Sequence, residues 1–505
     1  MRSTSNIMSR AYSLSLILLL FASGSANLLA VDITGVKPNA IGLPELNAIL
    51  RPSAGVMPYS GLDTVGDTFT NIRLVLDTGA SGVVLFETQA NALAVPTAEF
   101  DAQTVVFSDV GVGGITTFNV STPLHVSLGH FDAIIPPDYD PLTEALIYPE
   151  QFPGIRLQLG PPGSGGFILG QTQISGIVGM PLFYNKTIVI QPKFAENIFL
   201  DTIRAYIYTP GIAPAIGPGF LPTNLDIALS LKNFSRFTTI TPNGAPGPSV
   251  NDNPFIGPDP LAAFEGQTPL STAPPGVVLE FNGSKTTQSL LLDTGNQVSS
   301  ISSNVAALFN VRYQADTQGT ATPVLESFDP GAPALPGTPL SEQFTLTVQG
   351  IGGIETIAGF YLDSLQMKTV QGSATDDTDP NHLNFISAPV YVQDIELTDP
   401  ITSEKFTLAG IVGMNYLMAS FEGLFIGTFN AGPFETIVLN FDQNGTMPNT
   451  LGLHIDGFTP IETGQSTHEI PVPVVFNAGF AIILLWLAYL SRARNINTHD
   501  RWHPF

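Results

Sequence analysis

Three sequence anchors occur twice in this chain, in the same order, and no other feature restricts its fold as much. Leu74-Val75-Leu76-Asp77-Thr78-Gly79 returns as Leu290-Leu291-Leu292-Asp293-Thr294-Gly295, an offset of 216 residues at the Asp. The glycine-rich tip Gly111-Val112-Gly113-Gly114 returns as Gly350-Ile351-Gly352-Gly353, at an offset of 239. Gly176-Ile177-Val178-Gly179-Met180 returns as Gly410-Ile411-Val412-Gly413-Met414, at 234. Near-constant offsets in one order imply a duplicated lobe. Each Asp ends an apolar strand and enters a Thr-Gly turn, where a carboxylate with no use would be costly. Two such turns suggest two carboxylates brought face to face.

Composition sets the fold class. The 505 residues suffice for two or three domains with sizeable cores. Only 12% of them are charged against 44% hydrophobic, which describes a folded chain. Abundant Gly and Pro, with frequent Val, Ile, Thr and Phe, predict a mainly β protein of short strands and turns. A net charge of −24 argues against nucleic acid, whose phosphates would be repelled. The absence of Cys removes thiol nucleophiles and cysteine metal sites. The His residues are scattered, with no His-Glu-x-x-His pattern and no Gly-x-Ser-x-Gly elbow. Gly160 to Gly166 has no following lysine and reads as a loop. Asp376-Asp377-Thr378-Asp379 reads as a solvated acidic loop, with calcium chelation as the lesser alternative. No metal and no cofactor is expected.

Taken in order, residues 27 to 70 give little beyond a lead-in segment. Strands are expected at Thr68 to Leu76, Val83 to Phe86, Leu124 to Leu128 and Thr187 to Ile190. Gln103 to Phe107 and Ile115 to Val120 flank the first glycine tip as a hairpin. In the second half, Val277 to Phe281 and Ser289 to Leu292 are expected to form a hairpin leading into Asp293. Phe344 to Val348 and Ile354 to Ala358 flank the second tip, and Thr436 to Leu439 is a late strand. Residues 206–275, rich in Pro and Gly with one short apolar stretch at Leu225 to Leu231, read as a linker.

The ends read as export and anchoring signals. Arg2 and Arg10 precede the apolar run Ala11 to Ala22, and Gly24-Ser25-Ala26 offers a cleavage site, giving a signal peptide over 1–26. Export without a single Cys points to a bacterial envelope or surface protein. Five Asn-x-Ser/Thr sequons (Asn119, Asn185, Asn233, Asn282, Asn444) matter only in a glycosylating host. Val474 to Leu490 followed by Arg492 and Arg494 reads as a transmembrane helix with a cytoplasmic tail. Pro471-Val472-Pro473 ahead of that run also resembles a bacterial C-terminal sorting tail of the Pro-Glu-Pro class, with Val472 in the place of the glutamate.

The internal anchors resemble the aspartic proteases, and within them the retropepsin-like branch. Leu-Val-Leu-Asp77-Thr78-Gly79-Ala80 looks like that family's catalytic loop, Gly111-Val112-Gly113-Gly114 like its flap tip, and Gly-Ile-Val-Gly like its apolar-apolar-Gly segment. The resemblance covers roughly Thr68 to Pro192 and Val277 to Asp442. It implies a pepsin-like arrangement of two homologous, closed β-barrel-like lobes in one chain, with a cleft between them. The implied organisation is a signal peptide (1–26), an N-terminal lobe (27–205), a linker (206–275), a C-terminal lobe (276–456), a stalk (457–473), the membrane helix or sorting tail (474–490) and a cytoplasmic tail (491–505).

The resemblance further implies an endopeptidase whose Asp77 and Asp293 share one proton and activate a water. Thr78, Gly79, Ala80 and Ser81, with Thr294, Gly295 and Asn296, would support the two loops. Asn296 stands where the family usually carries Ser, Thr or Ala. Gly111, Val112, Gly113 and Gly114, and Gly350, Ile351, Gly352 and Gly353, would form two flaps over a peptide substrate. No Tyr lies between Asp77 and Tyr139, unlike the pepsin flap. The expected partners are a peptide or protein substrate and the membrane, for a monomer whose lobes act as an internal dimer. The alternative is a non-catalytic surface binding or matrix protein that keeps the same fold. The distance from Asp to tip, 34 residues in the first half and 57 in the second, places an insertion near Asp329 to Pro339.

Overall fold

A computed structural model of the chain describes residues 31–460, apart from 41, 63–65, 67, 112–113, 132, 134–146, 161–167, 170–171, 193–202, 210–221, 233–252, 258–275, 351–352, 399–404, 419–432, 444–448 and 457. The protein is mainly β, with 51% strand and 7% helix. The strands that build the site are, in the first half, β1 (Val31–Ile33), β2 (Pro44–Arg51), β3 (Ile72–Leu76), β4 (Val83–Leu85), β5 (Val106–Gly111), β6 (Gly114–Val120), β7 (Gln158–Leu159) and β8 (Gly176–Val178). Then come β9 (Thr187–Gln191), β10 (Ile203–Tyr208) and β11 (Leu225–Lys232). The second half holds β12 (Asn253–Ile256), β13 (Leu290–Leu292), β14 (Ser300–Ile301), β15 (Gln343–Gly350), β16 (Gly353–Met367), β17 (Leu383–Val392), β18 (Gly410–Val412), β19 (Phe434–Asn440) and β20 (Thr450–Ile455).

The two halves are wired alike. In the first, β8 lies between the strand that enters the Asp turn and the strand that leaves it, parallel to β3 and antiparallel to β4. In the second, β18 is parallel to β13 and antiparallel to β14. The outgoing strand then pairs in parallel, β4 with β7 and β14 with β17. Each of those partners lies antiparallel to the second strand of a glycine-tipped hairpin, β5–β6 or β15–β16. A short helix follows each outgoing strand, Glu87–Ala92 and Ser303–Leu308.

A sheet shared by the halves joins them. Its order is β10-β9-β19-β20-β11, with Ile188 opposite Leu439 at the centre. The largest apolar core is continuous through both halves, including Leu46, Leu74 and Val178 on one side and Leu292, Phe385 and Val412 on the other. Burial at this density resists any relative shift of the halves.

Several expectations need correction. Residues 206–275 are not simply a linker: they hold the end of β10, all of β11 and all of β12. The reason is visible in β11, where buried and half-buried residues alternate from Leu225 to Ser230, the period of a strand with one face on the core. Residues 27–70 are more than a lead-in, since β2 is buried along its whole length and β1 pairs in parallel with β17 of the second half. The expected strand 68–76 is interrupted, with Thr68–Phe69 in a separate two-stranded sheet. Val277–Phe281 forms its hairpin with Ser284–Gln288, not with 289–292, because Asn282 and Gly283 both take positive φ and close a two-residue turn.

The second-half insertion folds as a three-stranded sheet of Val311–Tyr313, Leu325–Ser327 and Thr338–Pro339. Tyr313 clamps it to the body, donating to the Val392 carbonyl at 2.6 Å and accepting from the Ala358 amide at 3.3 Å. Phe458, at the expected start of the stalk, is buried, and its carbonyl accepts from Asn224 Nδ2 at 2.9 Å. The expected signal peptide (1–26) and the run 474–490 lie outside the described residues. Among the described residues, no helix is long and apolar enough to cross a membrane.

β2 carries a buried acid. Glu45 lies 3.7 Å from Arg73 Nε, too far for a hydrogen bond, and among the described residues its Oε2 has no hydrogen-bond partner. Burial therefore outweighs the attraction of Arg73 and raises the Glu45 pKa to about 8. An acid with a raised folded pKa favours the folded state below its unfolded pKa, and that contribution fades as pH rises through the folded value. Glu45→Gln is thus expected to leave stability at pH 4 nearly unchanged and to raise it at pH 8.5, by on the order of a few kcal/mol. Urea unfolding at both pH values measures this. An equal effect at the two would show that Glu45 is not the group responsible.

Candidate functional site

Asp77 and Asp293 each sit one residue past a short apolar strand, at the start of a tight turn. The strand between the two arms of each half fixes that turn from behind. The Asp77 amide donates to the Val178 carbonyl at 3.0 Å, and the Asp293 amide to the Val412 carbonyl at 2.9 Å. The loops then close onto the next residues, with Met180 N–H donating to the Ala80 carbonyl and Met414 N–H to the Asn296 carbonyl. The glycines of both Gly-Ile-Val-Gly segments are required by contact. A methyl at Gly179 would overlap the Gly82 and Ala80 carbonyls, and one at Gly413 the Val298 and Asn296 carbonyls. No side chain fits there without displacing backbone.

The two turns meet across the junction of the halves. Thr78 Oγ1 donates to the Leu292 carbonyl at 2.6 Å, and Thr294 Oγ1 donates to the Leu76 carbonyl at 2.8 Å. Each hydroxyl also accepts the other threonine's amide at 3.1 Å. Both threonines are fully buried. Four reciprocal bonds thus lock one Asp turn to the other. Gly79 and Gly295 stand where the opposite carboxyl group arrives, since a methyl on Gly79 would overlap Asp293 and one on Gly295 would overlap Asp77.

The two carboxyl groups lie close enough to share a hydrogen bond. Asp77 Oδ1 also accepts from the Gly79 and Ala80 amides at 2.8 and 2.9 Å, and Asp293 Oδ1 accepts from the Gly295 amide at 2.9 Å. Burial raises both pKa values. The neighbouring charge of Asp293 pushes Asp77 further up, whereas the bond from Asp77 and the amides of Gly295, Asn296 and Gly79 pull Asp293 part of the way back. The pair therefore holds one proton over a broad range, shared between the two carboxyl groups. Neither residue is fully enclosed, so water reaches the pair. Such a pair can act as acid and base in a single step.

The remaining predicted residues fall as follows. Ala80 supplies an amide to Asp77, and Ser81 is buried beside it. Asn296 keeps its turn closed by accepting from the Val298 amide through Oδ1 at 3.2 Å. Gly111 opposite Gly114, and Gly350 opposite Gly353, are the last rungs of the two hairpins. The tip residues Val112, Gly113, Ile351 and Gly352 lie outside the described residues. The hairpins match in a further detail: Ser108 and Thr117 pair their hydroxyls at 3.2 Å, as Thr347 and Thr356 do at 3.0 Å, each three rungs from the tip. The acidic loop at 376–379 satisfies itself, with Asp379 accepting from the Ser373 and Asn381 amides and Asp377 paired to Lys368.

Sequence reading missed three supports of the turns. Ala40 N–H donates to the Gln297 carbonyl at 2.8 Å, so the segment between β1 and β2 braces the second turn. Ser299 Oγ accepts from the Gly413 amide and donates to Asn415 Oδ1 at 2.6 Å. Asn253 reaches the first turn from β12. Only Asn253 had a local signal, an Asn-Pro ahead of a short apolar run. No protein-family model matches the chain, and no curated protein matches it.

Proposed function

We propose that this protein is an aspartic endopeptidase with two homologous acid-protease lobes and a cleft between them. The observation that carries this reading is the face-to-face pair, Asp77 and Asp293, set in matching turns that lock each other through Thr78 and Thr294. In the proposed reaction the ionised carboxylate takes a proton from a water held between the two groups, and that water attacks the scissile carbonyl. The protonated member donates to the carbonyl oxygen, and no covalent intermediate forms. The two glycine-tipped hairpins would close over an extended peptide and bond to its backbone. The apolar runs Ala11 to Ala22 and Val474 to Leu490 support a reading in which this activity lies outside the cytoplasm, anchored to the cell envelope.

The test is a cleavage assay on a denatured protein substrate with the purified full chain. Internal cleavage at acidic pH, blocked by a statine-containing peptide, is the expected result. Peptide binding without cleavage anywhere from about pH 3 to 8 would reject catalysis and leave a binding module.

A further inference from the structure

Asn253 opens β12 and is fully buried. β12 runs antiparallel to β13, with Phe255 opposite Leu291 and Ile256 opposite Leu290. Continued by two rungs, that register brings Asn253 level with Asp293. Its side chain, however, serves the other half. Nδ2 donates to the Gly79 carbonyl at 2.7 Å and lies 3.3 Å from Ser81 Oγ. The Gly79 carbonyl and the Ala80 N–H belong to one planar peptide unit. That same N–H donates to Asp77 Oδ1 at 2.9 Å. A single rigid plane therefore connects Asn253 to the Asp77 carboxylate.

The arrangement is one-sided. In the first half β2 pairs with β3 as β12 pairs with β13, and the position level with Asp77 is Leu43, an apolar residue with no donor to offer. A buried amide is costly unless its polar atoms are used. Among the described residues Asn253 Oδ1 has no hydrogen-bond partner, so the donor end is what the site gains from this residue. We propose that Asn253 is a positioning residue that fixes the Gly79–Ala80 peptide from the opposite half and so holds the Ala80 amide on the Asp77 carboxylate. It sets the ionisation of the pair without touching substrate. Its kinetic consequence rests on the protease reading above; its effect on the titration of the pair does not.

Three variants test this. Asn253→Asp keeps the shape but turns a carboxyl oxygen toward the Gly79 carbonyl, Asn253→Ala removes the contact, and Asn253→Thr retains a hydroxyl donor. A less firmly held Ala80 amide weakens the ionised form of Asp77, so the apparent pKa values of the pair are expected to rise, by about half a unit to one unit, in Asn253→Ala. The carboxyl carbon shifts of 13C-labelled aspartate report this, and the acid limb of the kcat/KM profile should move with them. kcat is expected to fall about tenfold with KM within about twofold, and Asn253→Thr should recover part of both effects.

Asn224→Ala is the comparator. It loses three bonds away from the pair, two to the Ile455 and Phe458 carbonyls and one from the Ile455 amide, and should lower stability without moving the titration. A folded Asn253→Ala or Asn253→Asp protein with an unchanged titration would overturn the proposal and leave Asn253 a purely structural residue. A shifted titration in a protein that cleaves nothing would support the proposal and reject the protease reading instead.

Discussion

Asp77→Asn is expected to abolish the proposed cleavage while making the protein more stable at neutral pH. The loss follows from chemistry, because an amide can neither accept the proton of the attacking water nor pass one to the carbonyl oxygen. General acid–base catalysis contributes about 10²- to 10⁴-fold, so kcat should fall by at least about that factor. The gain follows from linkage. Burial and mutual repulsion hold the pair's pKa values above the ordinary range, so the stability it contributes at low pH is lost as pH rises through the folded values. Asn removes the ionising group and with it that loss. Thermal unfolding of the variant should exceed wild type at pH 7 and converge with it near pH 3. Wild-type cleavage by Asp77→Asn would eliminate the pair as the catalytic centre. A melting temperature that falls at pH 7 would refute the electrostatic account.

Thr294→Val should produce the opposite combination, losing both stability and rate. Val preserves the shape of the side chain, so packing at the junction stays intact. The Leu76 carbonyl and the Thr78 amide nevertheless lose their partner in a fully buried site. Each orphaned group costs about 1–3 kcal/mol, giving roughly 2–6 kcal/mol in all. The carboxylates also lose the reciprocal lock that fixes their separation, so kcat should drop more than KM changes. Thr78→Val should behave alike, because it gives up the Leu292 carbonyl and the Thr294 amide. The double variant should cost less than the two singles added together, since both act on one network. Urea unfolding of the four proteins measures the coupling. Strict additivity would show that the turns are held independently.

The sequence made the two turns legible because their requirements are local. Asp-Thr-Gly must close a tight turn, and Gly-Ile-Val-Gly must pass behind it with no Cβ in the way. The strands of the two glycine-tipped hairpins were legible for the same reason, since their partners lie next to each other in the chain. β1 and β12 were not. Three or four residues carry too little periodicity to announce a strand, and their partners lie far off in sequence, β1 against Leu383–Phe385 and β12 against Leu290 and Leu291. The Pro- and Gly-rich composition of 206–275 pointed to turns, which hid the strand carrying Asn253.

The chain itself therefore determined which groups the site contains: two carboxylates, two threonine hydroxyls and the glycines that let them approach. These are properties of short segments, and each segment occurs twice. Tertiary structure alone decided that Thr78 bonds across to the Leu292 carbonyl, that burial of the two carboxyl groups together raises the pKa of both, and that Asn253 braces the turn of the half to which it does not belong. Those outcomes depend on distances of a few ångströms between segments far apart in sequence. Only the packed core and the shared sheet, summing many weak contacts, bring such segments into register.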